Sequence, residues 1–384
     1  MSCEHFGICG GCTHDIPYSE ELRIKEDSVL QLFRDASIDL GTYIGALGAP
    51  SPLEYRNKME FAFGDSGKDS GLCLGVRKRR SFYEVADAHI CKLVDSDFRA
   101  IVALVRDYFS SAGETFFHRR RHTGSLRHLI VRKGFFTGEI LVNIVTAPSL
   151  NTPLEPLAAK IAKLPLKGTI AGVLHTVNSS VADAIVCDEL NVIYGNPFFY
   201  DKLLGLDFKI SAFSFFQTNS AAAELLYDTT AQFADCRSVD TVYDLYSGTG
   251  TISQIVAKHA GQVVGIESVS EAVDSARENA AANGINNCRF ICGDVLEAID
   301  NIKESPDTVI LDPPRSGATP KSLAKIIKTR PSRIVYVSCK PSSLVRDLQT
   351  LIPAGYTVRA TKLVDLFPRT AHVETVVLLK RKGH

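Results

Sequence analysis

From residue 205 to the end, short apolar runs alternate with helical stretches, and few folds accept that rhythm. VDTVYDLYSG reads as a strand and turn, TISQIVAKHA as a helix, QVVGIES as a strand, and SEAVDSARENAAANG as a helix stopped by Gly284. CRFICGD, DTVILDPPR and RIVYVSC follow as strands, and HVETVVLLKRK closes the chain as another. Apolar strands alternating with helices are covered on both faces. The expected architecture is therefore α/β, a doubly wound Rossmann-like parallel sheet.

The preceding residues carry a different pattern. Between about 45 and 200, apolar runs such as MEFAFG, LRHLIVRKG, GEILVNIVT and GVLHTVNSS are broken by Gly, Pro and Asn, which predicts antiparallel strands and hairpins. Residues 19–37 predict a helix, with Leu22, Val29, Leu32 and Phe33 near helical spacing. A chain of 384 residues has room for two domains. The expected division is a strand-rich central domain (1–14 with 46–204), a helical segment (15–45) and the doubly wound domain (205–384).

No apolar run approaches the roughly 18 residues of a membrane helix. The first residues, MSCEHFGICGGC, lack the basic end and apolar core of a secretory signal, so a cytoplasmic location is expected. Net charge is zero, which weighs against a large nonspecific nucleic-acid binder. The charge is uneven, however. Arg77–Arg80 (R-K-R-R) and Arg119–His122 (R-R-R-H) are dense basic clusters, either solvated faces or phosphate contacts.

Chemistry-bearing residues collect at the carboxyl ends of the predicted parallel strands, where doubly wound sheets bind ligands. D-L-Y-S-G-T-G-T (244–251) closes one strand and opens a helix, and Gly248 and Gly250 allow a tight turn. Glu267 ends the next strand, 23 residues after Asp244, and suits a ribose diol. Gly293-Asp294 ends the third strand, where an adenine would be met, and Asp312-Pro313-Pro314 ends the fourth. Ser253 stands where a dinucleotide fingerprint has its third glycine, and no triphosphate-binding loop occurs. S-adenosylmethionine fits this set better than NAD.

Cys339, in V-Y-V-S-C-K-P, sits on the same edge. It is either a buried small residue or a nucleophile. Glu374, in H-V-E-T, is either an exposed edge-strand residue or a base. A thiolate, a carboxylate and a methyl donor together suit carbon 5 of uracil. Thiolate addition at carbon 6 makes carbon 5 nucleophilic, and a base then removes its proton. Arg315 follows the two prolines where amino-group methyltransferases tend to have an aromatic. No second cysteine follows them, which favours uracil over cytosine.

Cys3, Cys9 and Cys12 form C-x5-C-x2-C. Three close thiols call for a fourth, for which Cys91 is preferred over Cys73 and Cys187. The spacing leaves zinc, an iron–sulfur cluster and uncoordinated thiols open.

Taken in order, F-G-I-C-G-G-C (6–12), S-F-F-Q-T-N (214–219), D-L-Y-S-G-T-G (244–250), L-D-P-P-R (311–315), V-S-C (337–339) and H-V-E-T (372–375) resemble the RNA uracil-5 methyltransferases acting on 23S ribosomal RNA and tRNA. The resemblance implies that Cys3, Cys9, Cys12 and Cys91 hold a 4Fe-4S cluster. It implies S-adenosylmethionine contacts from Gln217, Tyr246, Gly248, Thr251, Glu267, Asp294 and Asp312. Cys339 is then the nucleophile and Glu374 the base, and the helix at 19–37 packs on the catalytic domain.

Two departures stand out. Lys340 replaces the asparagine common after the nucleophile. The chain also begins at the cysteines, with no room for the small N-terminal RNA-binding barrel of many members. RNA recognition is then expected from the central region, through the two basic clusters and Phe82, Tyr83, Phe116 and Phe117. The expected activity is methylation of carbon 5 of a uridine in structured RNA, 23S rRNA first and tRNA second, with an amino-group methyltransferase as the alternative. Neither a membrane nor an obligate protein partner is expected.

Overall fold

The computed structural model describes residues 3–67, 70–182 and 184–383. The chain forms two compact units, one of Met1–Asp15, Ser51–Lys202 and Lys209–Phe213, the other of Ile16–Pro50, Leu203–Phe208 and Ser214–His384.

Helix α1 (Tyr18–Asp35) belongs to the second unit. Glu20 and Glu21 in its first turn and Arg34 in its last suit the helix dipole. Its buried stripe is Glu21, Lys25, Val29 and Phe33, each one turn from the next. Val29 and Phe33 enter the apolar core of this unit. The two charges are satisfied by distant partners. Lys25 Nζ lies 2.8 Å from Glu21 Oε1 and 2.9 Å from Asp365 Oδ2, and donates to the Phe367 carbonyl at 3.1 Å. The ammonium thus ties the helix to a loop about 340 residues away. Lys25→Met leaves Asp365 buried without its cation and Glu21 with only Arg369 Nη1, at 3.9 Å. It is expected to cost about 3–5 kcal/mol of stability, read as a lowered urea midpoint with an unchanged slope. Strand β1 (Thr42–Leu47) follows.

The first unit is a seven-stranded sheet. Its elements are β2 (Lys58–Asp65), β3 (Leu72–Arg77), β4 (Val85–Asp87), α2 (Ser96–Ser111), β5 (Leu126–Lys133), β6 (Glu139–Thr146), α3 (Glu155–Ala162), β7 (Thr169–Val177) and β8 (Glu189–Gly195). The strand order is β4-β3-β2-β5-β6-β7-β8, antiparallel except for β6 and β7, which run parallel across α3. Parallel neighbours need a crossover, and α3 supplies it. The strand-only expectation for this region missed α2 and α3. In α2, Phe98, Ile101, Val102, Val105 and Phe109 recur at helical spacing and are buried, and Asp95 caps the start by accepting from the Asp97 and Phe98 amides.

After a hairpin of β9 (Phe198–Leu203) and β10 (Leu206–Ser211), the second unit continues. It comprises α4 (Ser220–Ala234), β11 (Thr241–Leu245), α5 (Thr251–Ala257), β12 (Gln262–Glu267), α6 (Ser270–Ala282), β13 (Cys288–Cys292), α7 (Val295–Asp300), β14 (Thr308–Leu311), α8 (Pro320–Thr329), β15 (Arg333–Ser338), α9 (Pro341–Leu351), β16 (Tyr356–Val364) and β17 (Glu374–Arg381). The eight strands run β1-β16-β17-β15-β14-β11-β12-β13. The α/β, Rossmann-like expectation holds for β13 through β15, which are parallel. Strand β17 is reversed, antiparallel to both β15 and β16. Among the described residues, no helix is long and apolar enough to cross a membrane.

The iron–sulfur expectation is corrected. Among the described residues, no three His, Cys, Asp or Glu side chains stand close enough together to hold a metal ion. Cys3, Cys9, Cys12 and Cys91 are half-buried free thiols that feel one another's charge without converging as a ligand set. Burial pushes the Cys9 and Cys91 thiols up and Cys12 to about 12, which favours the protonated form over the thiolate that metals need. The N-terminal loop is instead held by backbone pairing. Gly10 donates to the Arg77 carbonyl at 3.0 Å and Arg79 to the Ile8 carbonyl at 2.8 Å, while the Arg79 side chain bonds the Cys9 and Cys12 carbonyls. Sequence spacing placed three thiols near one another but did not fix their distances.

Candidate active site

Strand β11 ends at Leu245, and the chain turns through Tyr246 to Gly250 into α5. Tyr246, Gly248 and Gly250 all take positive φ, at 64°, 53° and 73°. At Gly250 the choice of residue is forced twice, because an added Cβ would also sit 2.7 Å from the Phe290 ring. At Gly248 and Gly293 an added Cβ would meet nothing within 4 Å, so the chain leaves space at both strand ends.

Glu267, ending β12, is fastened to this turn. One carboxylate oxygen accepts from the Gly248 amide at 3.1 Å, and the other from the Ser268 and Val269 amides at 2.7 and 2.9 Å. Asp294 is exposed and caps α7, accepting from the Leu296 amide at 2.7 Å. Thr251 is buried beside Thr249, and Tyr246 reaches toward Ser322. Beneath the turn, Asp244 accepts from Ser253 Oγ at 2.5 Å through one oxygen. Its other oxygen and Ser247 Oγ are buried with no hydrogen-bond partner. Polar atoms held dry and unmatched beside open space fit a polar ligand such as S-adenosylmethionine.

The second cluster comes from the reversed strand. Ser338 on β15 pairs with Thr375 on β17. Cys339 follows Ser338 and Glu374 precedes Thr375, and the two lie within electrostatic range of each other. Cys339 is half-buried, while Glu374 is 4% exposed. Desolvation and the nearby Glu374 and Asp312 carboxyls push the Cys339 thiol up to about 11, against which Arg315 pulls it down. Desolvation and Asp312 raise Glu374 to about 8, again opposed by Arg315. Asp312, just past β14, rises to about 7 through desolvation and the Asp244 charge. A thiol and two proton-hungry carboxyls therefore share one site with one nearby cation.

Gln217 precedes α4 and hydrogen-bonds Tyr227, a buried tyrosine that also lies within range of Asp312, Glu374 and Asp244. Tyr227 and the electrostatic part played by Arg315 were missed from the sequence. An aromatic on an apolar helix face reads as core, and only the folded chain brings it to three carboxyls.

Comparison with known proteins identifies the family. The sequence model of the tRNA (Uracil-5-)-methyltransferase family matches residues 200–382. An uncharacterised RNA methyltransferase of Clostridium tetani is 46% identical over 99% of this chain and 84% of its own length. The chain belongs to the RNA uracil-5 methyltransferase family. It is an RNA uracil-C5 methyltransferase. A second uncharacterised RNA methyltransferase, from Caldanaerobacter subterraneus, is 45% identical over 99% of this chain and 84% of its own length. Among solved structures, the Pyrococcus abyssi tRNA (uracil-54, C5)-methyltransferase in complex with S-adenosyl-L-homocysteine superposes with a TM-score of 0.79 at 26% identity, covering 97% of this chain and 86% of its own.

Proposed function

We propose that this methyltransferase acts on a uridine of tRNA through a covalent bond from Cys339 to carbon 6. The observation that carries the reading is the Cys339 thiol within electrostatic range of the Glu374 and Asp312 carboxyls, beside the last pair of the β15–β17 ladder. Support for tRNA over 23S rRNA, the reverse of the sequence expectation, comes from the family description and from the archaeal tRNA enzyme.

S-adenosylmethionine, when bound, supplies an electrophilic methyl group. Gln217, Tyr246, Gly248 and Thr251 would line its site, Glu267 would accept from the ribose hydroxyls, Asp294 would meet the adenine, and Asp312 would face the methionine end and the target base. The Cys339 thiol loses its proton to solvent as Sγ adds to carbon 6 of uracil, the electron pair of the C5–C6 double bond passes toward the carbon 4 carbonyl oxygen as an enolate, and carbon 5 gains nucleophilic character. After methylation Glu374 takes the carbon 5 proton, and the C–S bond breaks as the ring regains its double bond. With its folded value at about 8, Glu374 must ionise before it can accept that proton, so this step should quicken as pH rises toward 8.

The test is a covalent trap. The enzyme is mixed with S-adenosylmethionine and 5-fluorouridine-substituted tRNA or 23S rRNA fragments and run on a denaturing gel. Fluorine cannot leave carbon 5 as a proton, so a shifted band with tRNA that requires Cys339 is expected. A band with rRNA alone overturns the substrate assignment, and no band with either overturns the covalent route.

RNA contact outside the site falls to the strand-rich unit in this reading. Three members of the first basic cluster are already engaged. Arg77 bonds the Phe82 carbonyl, Lys78 pairs with Glu84 at 3.1 Å, and Arg79 holds the N-terminal loop. The second cluster offers Arg120 and Arg121, both exposed, next to His118 stacked on Tyr83 at 4.4 Å between centroids. Phe82 is 70% exposed. Arg120→Glu with Arg121→Glu is expected to weaken RNA binding roughly tenfold or more and to reduce the slope of log affinity against log salt by about 1–2. Filter binding across a salt series measures both, and an unchanged slope removes these residues from the RNA path.

A further inference from the structure

The strand-rich unit carries a cavity of about 700 Å³ that the reaction does not use. Its floor is one face of the sheet. On β2, Lys58, Glu60 and Ala62 alternate onto this face while Met59, Phe61 and Phe63 turn into the core. On β5, Ile130 lies opposite Glu60 and His128 opposite Ala62, and Arg77 comes from β3. Phe213, 42% exposed, stands on the wall. Ligand pockets run to about 300–1,000 Å³ and combine apolar walls with a few convergent polar groups. This cavity has that size and that mixture.

The polar groups have a definite pattern. Lys58 Nζ and Glu60 Oε1 lie 2.8 Å apart, so a three-proton donor sits beside a two-oxygen acceptor. Single-stranded RNA is read by stacking an unpaired base on an aromatic ring and bonding its Watson–Crick edge. Guanine offers two adjacent donors, N1–H and the N2 amino group, next to the O6 acceptor. A carboxylate takes both donors and an ammonium takes O6. Adenine, cytosine and uracil each lack the adjacent pair of donors.

We propose that this cavity is a subsite for an unpaired guanosine of the substrate RNA. Glu60 accepts from N1–H and N2–H, Lys58 donates to O6, and Phe213 stacks the base. The inference rests on the reading that the strand-rich unit contacts RNA, and it makes this unit a reader of sequence as well as a holder of backbone.

The experiment uses the full chain saturated with S-adenosylhomocysteine, so that the cofactor site is filled. Saturation-transfer NMR titrations with 5′-GMP, AMP, CMP and UMP give four affinities. GMP is expected to bind at least fivefold more tightly than the others. Glu60→Gln should erase the preference, and Phe213→Ala should weaken all four by about tenfold, the size of a lost base–aromatic stack. Thermal melts check that both variants fold, and either one suffices to place the site. No saturation by GMP, or a guanine preference surviving both substitutions, overturns the proposal. The covalent trap is a separate readout. Guanine selectivity without an adduct would sink the covalent route and leave the subsite standing.

Discussion

Alanine at position 339 is expected to lower methyl transfer by about 10⁴-fold or more, since removing a nucleophile takes away the route as well as one contact. Affinity for S-adenosylhomocysteine should change little, because the turn from Tyr246 to Gly250 lies on a different strand end. Glu374→Gln should differ in kind. Its thiol still adds, but the carbon 5 proton has no acceptor, so turnover falls by about 10²–10⁴-fold while an RNA–protein adduct accumulates on ordinary uridine RNA. Methyl incorporation and a denaturing gel on the same samples separate the two. A Cys339→Ala protein retaining a tenth of normal activity, or a Glu374→Gln protein that never forms an adduct, would end the mechanism.

The second large effect is on stability against pH. Glu374 and Asp244 are almost fully buried, and their folded values stand above their ordinary ones, at about 8 and about 7. A carboxyl raised by folding stabilises fully below its unfolded value, and that stability is lost as pH rises through the folded value. The free energy of unfolding should therefore fall between pH 5 and 8.5. For Glu374 the shift from 4.5 to about 8 corresponds to about 4–5 kcal/mol as an upper bound. Glu374→Gln carries no such proton and should flatten the profile, gaining on the unsubstituted enzyme as pH rises. Urea unfolding at pH 5, 6.5 and 8.5 reads the difference, and a constant gap between the two proteins would contradict it. Carboxyls held below their ordinary range, such as Asp240 beside Arg237, titrate at lower pH and leave this window clear.

Both effects come from carboxyls that burial holds near neutrality, and that links the chemistry to the fold. Asp244, Asp312 and Glu374 are brought together by three strands of one sheet. Ionising one discourages the next, so the site keeps protons available at neutral pH. Arg315 is exposed and offers only partial relief.

Local chemistry was legible in the sequence. The alternation of apolar strands with helices specified the Rossmann-like core, because strand and helix periods are properties of neighbouring residues. The Gly248–Gly250 turn and the acids at the ends of β12 and β14 could be read for the same reason. A turn requiring positive φ and a strand end are written within a few positions. What depended on distance in space was not. Thiol spacing at Cys3, Cys9 and Cys12 suggested a metal cluster, yet ligand geometry needs side-chain directions that spacing does not carry. Helices α2 and α3 were hidden in a region rich in strand-like runs. The reversed insertion of β17 between β15 and β16, which brings Glu374 near Cys339, is a register between segments 35 residues apart. The sequence by itself determined which residue types stand at the strand ends. Tertiary pairing decided which of them meet, because a ladder's register is set by the whole sheet closing on its core.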